Sequence, residues 1–490
     1  MTSRLDRVTE ERLKTIDDLR AKGTEPYPHS YHPSHTTAQA RALCQQAGER
    51  SQRISVAGRV TAKRTMGKMA FLDLRDGAGK LQASLRRDVL GDERYELLKD
   101  IDIGDFVGVG GELFVTRTGE ITVDVAELVF LAKSLRPLPE KWHGLVDVET
   151  RYRQRYLDLI SNDEARRTFA LRSGIVSATR RFLEDDGYIE VETPVLQSKA
   201  GGALARPFVT HHHALDADLY LRIALELSLK KLIVGGIDRV YEMGRVFRNE
   251  GISIRHNPEF TLMECYRAYA DYEDMMDLTE RLFSAVARTV LGTTRVEFRG
   301  QTVELAPPWQ RVTLREKVKE LSGIDFEDYP DAESLHERLL QEGVRIEGTP
   351  GRGHLIDELI STFVEPKLVQ PIFLLDYPVE MSPFPKKKRG NPRLVERFEA
   401  FICGLEFANA FTELNDPVDQ RQRLEEQLRD RVGDEDVQVA DEDFLEAMEY
   451  GMPPTGGLGI GIDRLVMLLT GQESIRDVIL FPQLKGRQDA

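Results

Sequence analysis

The chain has 490 residues, 41% apolar and 30% charged, with a formal net charge of −15. That length exceeds a single small domain and lets two or more domains each bury a core. The composition excludes a fibrous or largely disordered chain. No apolar run approaches the roughly 18 residues of a membrane span, so no spanning helix and no membrane partner are expected. The acidity argues against a surface coated throughout by nucleic acid and leaves room for local basic patches. The charged opening MTSRLDRVTEERLK lacks the apolar core of a secretion signal, so a cytoplasmic protein is expected. Cys44, Cys265 and Cys403 are odd in number and far apart, with no C-x-x-C pair, and read as packing residues.

In chain order, Leu5, Val8, Leu13, Ile16 and Leu19 recur at helical spacing before Gly23, which predicts a helix over 4–22 within an N-terminal arm at 1–50. The pattern then changes to short alternating runs, ISVAGRV, MAFLDLRD, KLQASL, DFVGVGGEL and ITVDVAEL, separated by Gly or Asp turns. Five strands at 51–135 predict a small β-barrel. Between Gly58 and Arg87, eight Lys or Arg face two Asp. A basic barrel with aromatic residues on its face is how OB folds hold single-stranded nucleic acid, although a purely structural β-domain fits the same pattern. The two prolines of RPLPEKWHGL mark a linker at 136–155. The remainder, 156–490, mixes helices and strands without a βαβ rhythm, so an α+β domain on an antiparallel sheet is expected, with a helical insertion near 310–365.

Three blocks carry the chemistry. VYEMGRVFRNEGISIRHNPEFTLMECYRAY reads as a hairpin whose loop holds Glu250, Arg255 and His256. Arg248 closes its first strand, and a period of two puts Phe260, Leu262, Glu264 and Tyr266 on one face of the second. In RFEAFICGLEFANAFTELND, Glu399, Glu406 and Glu413 stand in an apolar setting, where a carboxylate needs a metal, a cation or a donor. Asn409, Phe411 and Glu413 share a strand face by parity. Glu406 does not, so a bulge or break between Glu406 and Asn409 is predicted if all four line one site.

The third block, PPTGGLGIGIDRLVMLLTG, is a glycine-rich strand and a helix, with Asp463 as the expected cap and Gly471 as the stop. Its G-x-G-x-G spacing fails the dinucleotide fingerprint. Arg464, in a first helical turn that opposes cations, is expected to pair with an anion such as phosphate. His211, His212 and His213 alternate faces on a strand and make a poor metal site. KKKR at 386–389 reads as a solvated loop.

These blocks resemble the signature motifs of class II aminoacyl-tRNA synthetases, and with the preceding barrel they resemble the lysyl enzymes of subclass IIb. GYIEVETPVL, ending near Pro194, is similar to motif 1, FRNEGISIRHNPEF to motif 2 and GLGIGIDRL to motif 3; RYRQRYLDLI, YLRIALELSLKKLIVGG and FANAFTELND are similar to lysyl-type segments. The resemblance implies ATP-dependent lysine activation and transfer to tRNA(Lys), with Mg2+ as cofactor and a homodimer formed through motif 1.

It also implies roles. Arg248 would hold the α-phosphate and the lysine carboxylate, Phe260 and Arg464 would sandwich the adenine, and Glu250 and His256 would contact the adenine amine and outer phosphates. Glu399 and Glu406 would bind magnesium. Gly202 and Glu226 would receive the α-amino group, and Glu413, Glu264 and Tyr266 the ε-ammonium, beside Asn409 and Phe411. In the barrel, Phe71 would stack on an anticodon base while Gln82 and Glu127 contact base edges. Aspartyl relatives carry an Arg where Glu413 stands, so the sign of the pocket is inverted here. Leu225, Ser228 and Leu405 depart from the usual lysyl pattern. The alternatives are a ligase of the same fold that modifies a protein, and a catalytically inactive nucleic-acid-binding regulator.

Overall fold

The computed structural model describes residues 4–47, 53–138, 145, 147–199, 201–202, 205–346, 350–429 and 441–486. The chain divides into two compact units, Met1–Gly144 and Leu145–Ala490. Among the described residues no helix is long and apolar enough to cross a membrane.

In the first unit the expected N-terminal helix runs Arg4–Ala21 and ends before Gly23, whose positive φ of 78° suits a residue without a β-carbon. A second helix, Thr37–Ala47, was not anticipated. The five expected strands are Arg53–Met66, Met69–Arg75, Lys80–Arg86, Phe106–Val115 and Ile121–Ala132, and they close into a barrel in the order first, second, third, fifth, fourth. Alternation does the sorting: Val56, Val60, Leu72, Leu74, Leu81, Ala83, Val107, Val109, Val123 and Val125 fill the interior. Gly110 faces Glu127 and Gly111 faces Val125, which leaves Ala126 as an extra residue on the fifth strand. A β-carbon on Gly111 would lie 1.9 Å from the Asp124 carbonyl oxygen, so only glycine fits there.

Part of the proline-containing linker, 139–144, lies outside the described residues. The second unit is built on a nine-stranded sheet. Its main order is Gln310–Thr313, Ile372–Pro378, Asn391–Ile402, Leu405–Thr412, Thr455–Gly461, Glu259–Ala268, Arg239–Phe247 and Ile189–Glu190, with Lys387–Lys388 paired beside Asn391–Ile402. The central pairings are antiparallel, as the absence of a βαβ rhythm predicts; only the two outermost pairings are parallel. One face is packed by the helix Tyr272–Leu291, whose start carries a reciprocal Asp271–Asp274 capping box and whose end meets Gly292 in the left-handed conformation. The helix Ile462–Thr470 packs into the same core. The opposite face is left to form a cleft.

Residues 314–364 are mainly helical, with Leu314–Ser322, Ala332–Gln341 and Arg352–Leu359 enclosing their own apolar cluster, although Gln310–Thr313 belongs to the sheet. The KKKR run is not a solvated loop. Lys388 pairs with the buried Asp376, Lys387 with Asp419 at 3.1 Å, and Arg389 with Glu396 at 2.8 Å and Asp271 at 2.6 Å. His211 lies on the exposed strand Val209–His212 and bonds Asp218 at 2.9 Å.

Candidate active site

The charged hairpin forms as its pattern predicts. Arg239–Phe247 pairs with Glu259–Ala268, placing Val246 opposite Phe260 and Glu242 opposite Glu264. The Arg248 backbone N–H donates to the Pro258 carbonyl at 2.8 Å and closes the loop. Within the loop, the Ser253 hydroxyl oxygen accepts from the N–H groups of Arg255 and His256, at 3.1 and 3.0 Å. Phe260, Leu262, Glu264 and Tyr266 all line one cleft of about 470 Å³, together with Gly202, Glu226, Arg248, Glu250, His256, Glu399, Glu406, Asn409, Phe411, Glu413 and Arg464. The sequence-predicted residues of the second unit therefore converge on a single cavity.

The glycine-rich strand forms the floor of this cleft. Its following helix is capped differently from expectation: Gly461 occupies the cap position without a side-chain bond. Asp463 instead lies buried within the first turn, where its carboxylate accepts from the Thr261 N–H at 2.6 Å and pairs with Arg172 at 2.6 Å. It ties the helix to the hairpin strand. The anticipated bulge is present. Ala400 faces Ala408 and Phe401 faces Glu406, which leaves Phe407 as the extra residue. Phe407 turns into the aromatic core beside Phe283 and Phe298, and Glu406 rejoins the face of Asn409 and Phe411.

At the outer end of the cleft, carboxylates and guanidinium groups alternate. Glu399 pairs with Arg397 and accepts from the Tyr377 hydroxyl at 2.9 Å; Arg397 also donates to Asn409 at 3.2 Å. Burial pushes the Glu399 carboxyl up to about 7, with Arg397 opposing and Glu406 adding to the rise. Arg464 does meet an anion, but a protein one. It donates to the Glu406 carbonyl at 2.5 Å and lies 3.4 Å from that residue's carboxylate. Arg248 donates to the Ile223 carbonyl at 3.3 Å, and its guanidinium carbon lies 5.3 Å from the centre of the Phe260 ring. Burial depresses its pKa, while Glu250, Glu264 and Glu406 raise it. The His256 imidazole is also held below its ordinary value, first by desolvation and then by Arg464.

The inner end is different. Glu226, Glu264 and Glu413 are all buried there. Glu264 accepts from the Leu225 N–H at 3.2 Å and the Tyr266 hydroxyl at 3.1 Å, and burial next to Glu226 pushes it up to about 7. Glu413 is pushed up to about 8 by burial, against the pull of Lys230. Lys230 was not anticipated. Its ammonium, with no solvent exposure, contacts Glu226 and lies 2.5 Å from Glu413. The signal was present in ELSLKKL, where Glu226 and Lys230 stand four apart on an apolar helix. Arg397 was missed too, although a cation two residues before Glu399 on one strand must share its face.

Two glycines make room. Gly457 has Glu413 Oε1 standing 1.9 Å from where a β-carbon would be, and a β-carbon on Gly202 would lie 3.3 Å from those of Ala224 and Glu226. Any side chain at 457 would displace the pocket's terminal carboxylate.

In the barrel, Phe71 is half-buried on the second strand opposite Ser84, and Gln82 on the third lies opposite Asp73 and accepts from the Thr122 hydroxyl at 3.1 Å. Glu127 stands elsewhere, opposite Gly110 on the fifth strand, with its carboxylate 2.6 Å from Arg53. The first two lie on the paired second and third strands, and Glu127 lies on the strand beside the third, beyond Thr122, the partner of Gln82.

Comparison with known proteins agrees with this geometry. Residues 147–485 match the family of class II tRNA synthetases (D, K and N), and residues 54–131 match the OB-fold nucleic acid binding domain. A lysine–tRNA ligase of Dehalococcoides mccartyi is 55% identical over 485 residues, covering 98% of this chain and 97% of that relative. One from Moorella thermoacetica is 54% identical over 479 residues, covering 98% of each, and one from Bacillus cereus is 50% identical over 484 residues, covering 98% and 97%. With a closed OB barrel, an antiparallel catalytic sheet and full-length similarity of this order, the chain belongs to the lysine–tRNA ligase family of class II tRNA synthetases.

Proposed function

We propose that the chain activates L-lysine with ATP, releasing pyrophosphate and forming lysyl-adenylate, and then transfers the lysyl group to the 3′ end of tRNA(Lys). The observation that carries this reading is the closed inner end, where Glu226, Glu264 and Glu413 are buried together behind aromatic walls. Carboxylates in excess of cations in a cavity shut off from water favour a ligand that brings positive charge. A long side chain ending in an ammonium meets that need; an aspartate side chain would leave the acids unpaired.

In this reading a lysine carboxylate oxygen attacks the α-phosphorus, a new P–O bond forms, and the bond to the leaving pyrophosphate breaks. No protein nucleophile is required, so the residues act by positioning and charge neutralisation. Arg248 holds the lysine carboxylate and α-phosphate. Phe260 and Arg464 enclose the adenine, and Glu250 and His256 reach the adenine amine and outer phosphates. Gly202 and Glu226 receive the α-amino group. Glu413, Glu264 and Tyr266 receive the ε-ammonium, with Asn409 and Phe411 along the wall.

The donor set of the outer end fits magnesium. Glu399 and Glu406 would supply oxygen ligands to such a hard cation. The rise of Glu399 beside Glu406 supports such a need for positive charge. A magnesium ion held there would neutralise the phosphates. The protein's own part is to hold those two carboxylates on one face, through the Phe407 bulge and the Tyr377 and Arg397 contacts.

For the barrel, Phe71 stacking on an anticodon base beside Gln82 is the reading the pairing supports, with Glu127 as a more distant contact. An exposed apolar edge at Ile189, Val195 and Leu196 supports a homodimer through the motif 1 region around Pro194. Cytoplasmic residence is part of the same proposal. The deciding experiment is ATP–pyrophosphate exchange across all amino acids. Exchange with lysine alone supports the assignment, and lysine-independent activity or none at all would overturn it. Attachment of lysine to a protein in place of tRNA would mark the alternative ligase.

A further inference from the structure

Lys230 has no place in the reaction just described, yet its ammonium is fully buried against two of the acids that line the inner pocket. Its ammonium touches Glu226, four residues back on its own helix, and Glu413, on the segment after the strand Leu405–Thr412. Three aromatic rings from three further elements close around it: Tyr266 at 5.9 Å, Phe384 at 5.0 Å and Phe444 at 6.0 Å. It lies between the two carboxylates assigned to opposite ends of the substrate. Glu413 has two faces: Oε2 meets Lys230, while Oε1 points into the room left by Gly457.

We propose that Lys230 is a positioning residue and built-in counter-ion that fixes both Glu226 and Glu413 and sets the pocket's charge count, so that the two ammonium groups of one lysine complete it. The proposal rests on the reading of the pocket as a lysine site. When all three carboxyls are ionised, one fixed ammonium leaves two negative charges for a ligand to match. Lysine brings an α- and an ε-ammonium, while its carboxylate is matched by Arg248 at the other end. An amino acid with a neutral tail leaves one buried carboxylate uncompensated, which the low-dielectric site resists. Without Lys230 the carboxylates would repel one another, and the pocket would take up a proton in place of the substrate's charge.

The groups facing the acids support this. Glu413 is surrounded by Lys230, Glu226, Glu264 and Tyr266, and Glu264 by Glu226, Tyr266 and Arg248. Lys230 is the cation in direct contact with both Glu226 and Glu413, and it holds down carboxyls that burial drives up.

The test is the lysine KM in ATP–pyrophosphate exchange, followed from pH 6 to 9.5 in wild type, Lys230→Met, Lys230→Gln and Lys230→Arg. In wild type the KM falls with rising pH and levels near the Glu413 value of about 8. In Lys230→Met we expect a KM at least thirtyfold higher at pH 7, a levelling point at least one pH unit higher, and an ATP KM within threefold of wild type. Lys230→Gln keeps donors without the charge and shows the same displaced profile even if the methionine variant fails to fold. Lys230→Arg returns the profile toward wild type. A wild-type levelling point in the folded neutral variants, or equal rises in both KM values at an unchanged pH profile, would overturn the inference and leave Lys230 a packing residue. Failure of wild type to use lysine would instead sink the underlying assignment.

Discussion

The cleft of the second unit and the outer face of the barrel use charge in opposite ways. In the cleft, Glu226, Glu264, Glu413 and Lys230 are buried, so each charge is matched by a fixed neighbour or by a ligand. On the barrel, the pair at Glu127 is in water: the Arg53 and Glu127 side chains are 66% and 58% exposed. A pair of that kind contributes about 1 kcal/mol or less. Removing one partner of a buried pair costs about 3–5 kcal/mol. Discrimination by charge therefore belongs to the cleft, and the barrel must rely on stacking and edge contacts.

The comparison breaks most decisively at Glu413. Glu413→Gln is expected to lower kcat/KM for lysine in pyrophosphate exchange by about two to three decades, following the cost of an unmatched buried charge. ATP binding, measured separately by equilibrium dialysis, should be retained; unchanged lysine kinetics would remove Glu413 from the site.

The next effect is on pH. The Glu413 carboxyl is raised from 4.5 to about 8 by burial, so its protonated form is the one the folded protein favours near neutral pH. The stability it contributes is complete below pH 4.5 and is lost as pH rises through about 8. A bound ammonium favours the ionised form. Lysine should therefore raise the Tm more at pH 8 than at pH 6, and its affinity should change by up to about tenfold per pH unit below the levelling point. A pH-independent shift would contradict the buried-acid reading.

The smallest effect is expected in the barrel. Phe71→Ala should lower aminoacylation by about five- to a hundredfold, the range of one lost base-stacking contact, while pyrophosphate exchange stays at the wild-type level. Equal loss of both activities would mean damage to the fold.

Much of the cleft was legible because its residues obey strand parity. Phe260, Leu262, Glu264 and Tyr266 share a face by a period of two, and the conflict between Glu406 and Asn409 predicted the bulge that the structure contains. The barrel was legible for the same reason, as five alternating runs. What escaped was partnership across elements. Glu226 and Lys230 at a spacing of four resemble an ordinary exposed helix pair, and nothing local shows that Glu413 arrives from a distant segment to share the ammonium. Asp463 in a first helical turn looks like a cap until Arg172 and the Thr261 N–H, distant in sequence, are seen to claim it. Arg464 was correctly paired with an anion, but the nearest one here is Glu406. Glu127 lies on the strand paired with that of Gln82 but well beyond Thr122, the partner of Gln82, a register that strand propensities do not encode.

The single surplus residue at Phe407 reconciles odd and even positions on this strand. Glu406 and Asn409 stand three apart, so an unbroken pleat would turn Glu406 toward the Phe283 and Phe298 side; the extra residue returns its carboxylate to the face where it meets Arg464. Deleting Phe407 would keep Glu406 in step with Asn409 and take an aromatic ring out of the core. A loss at this position would therefore weaken the scaffold before it disturbed the nucleotide end of the cleft.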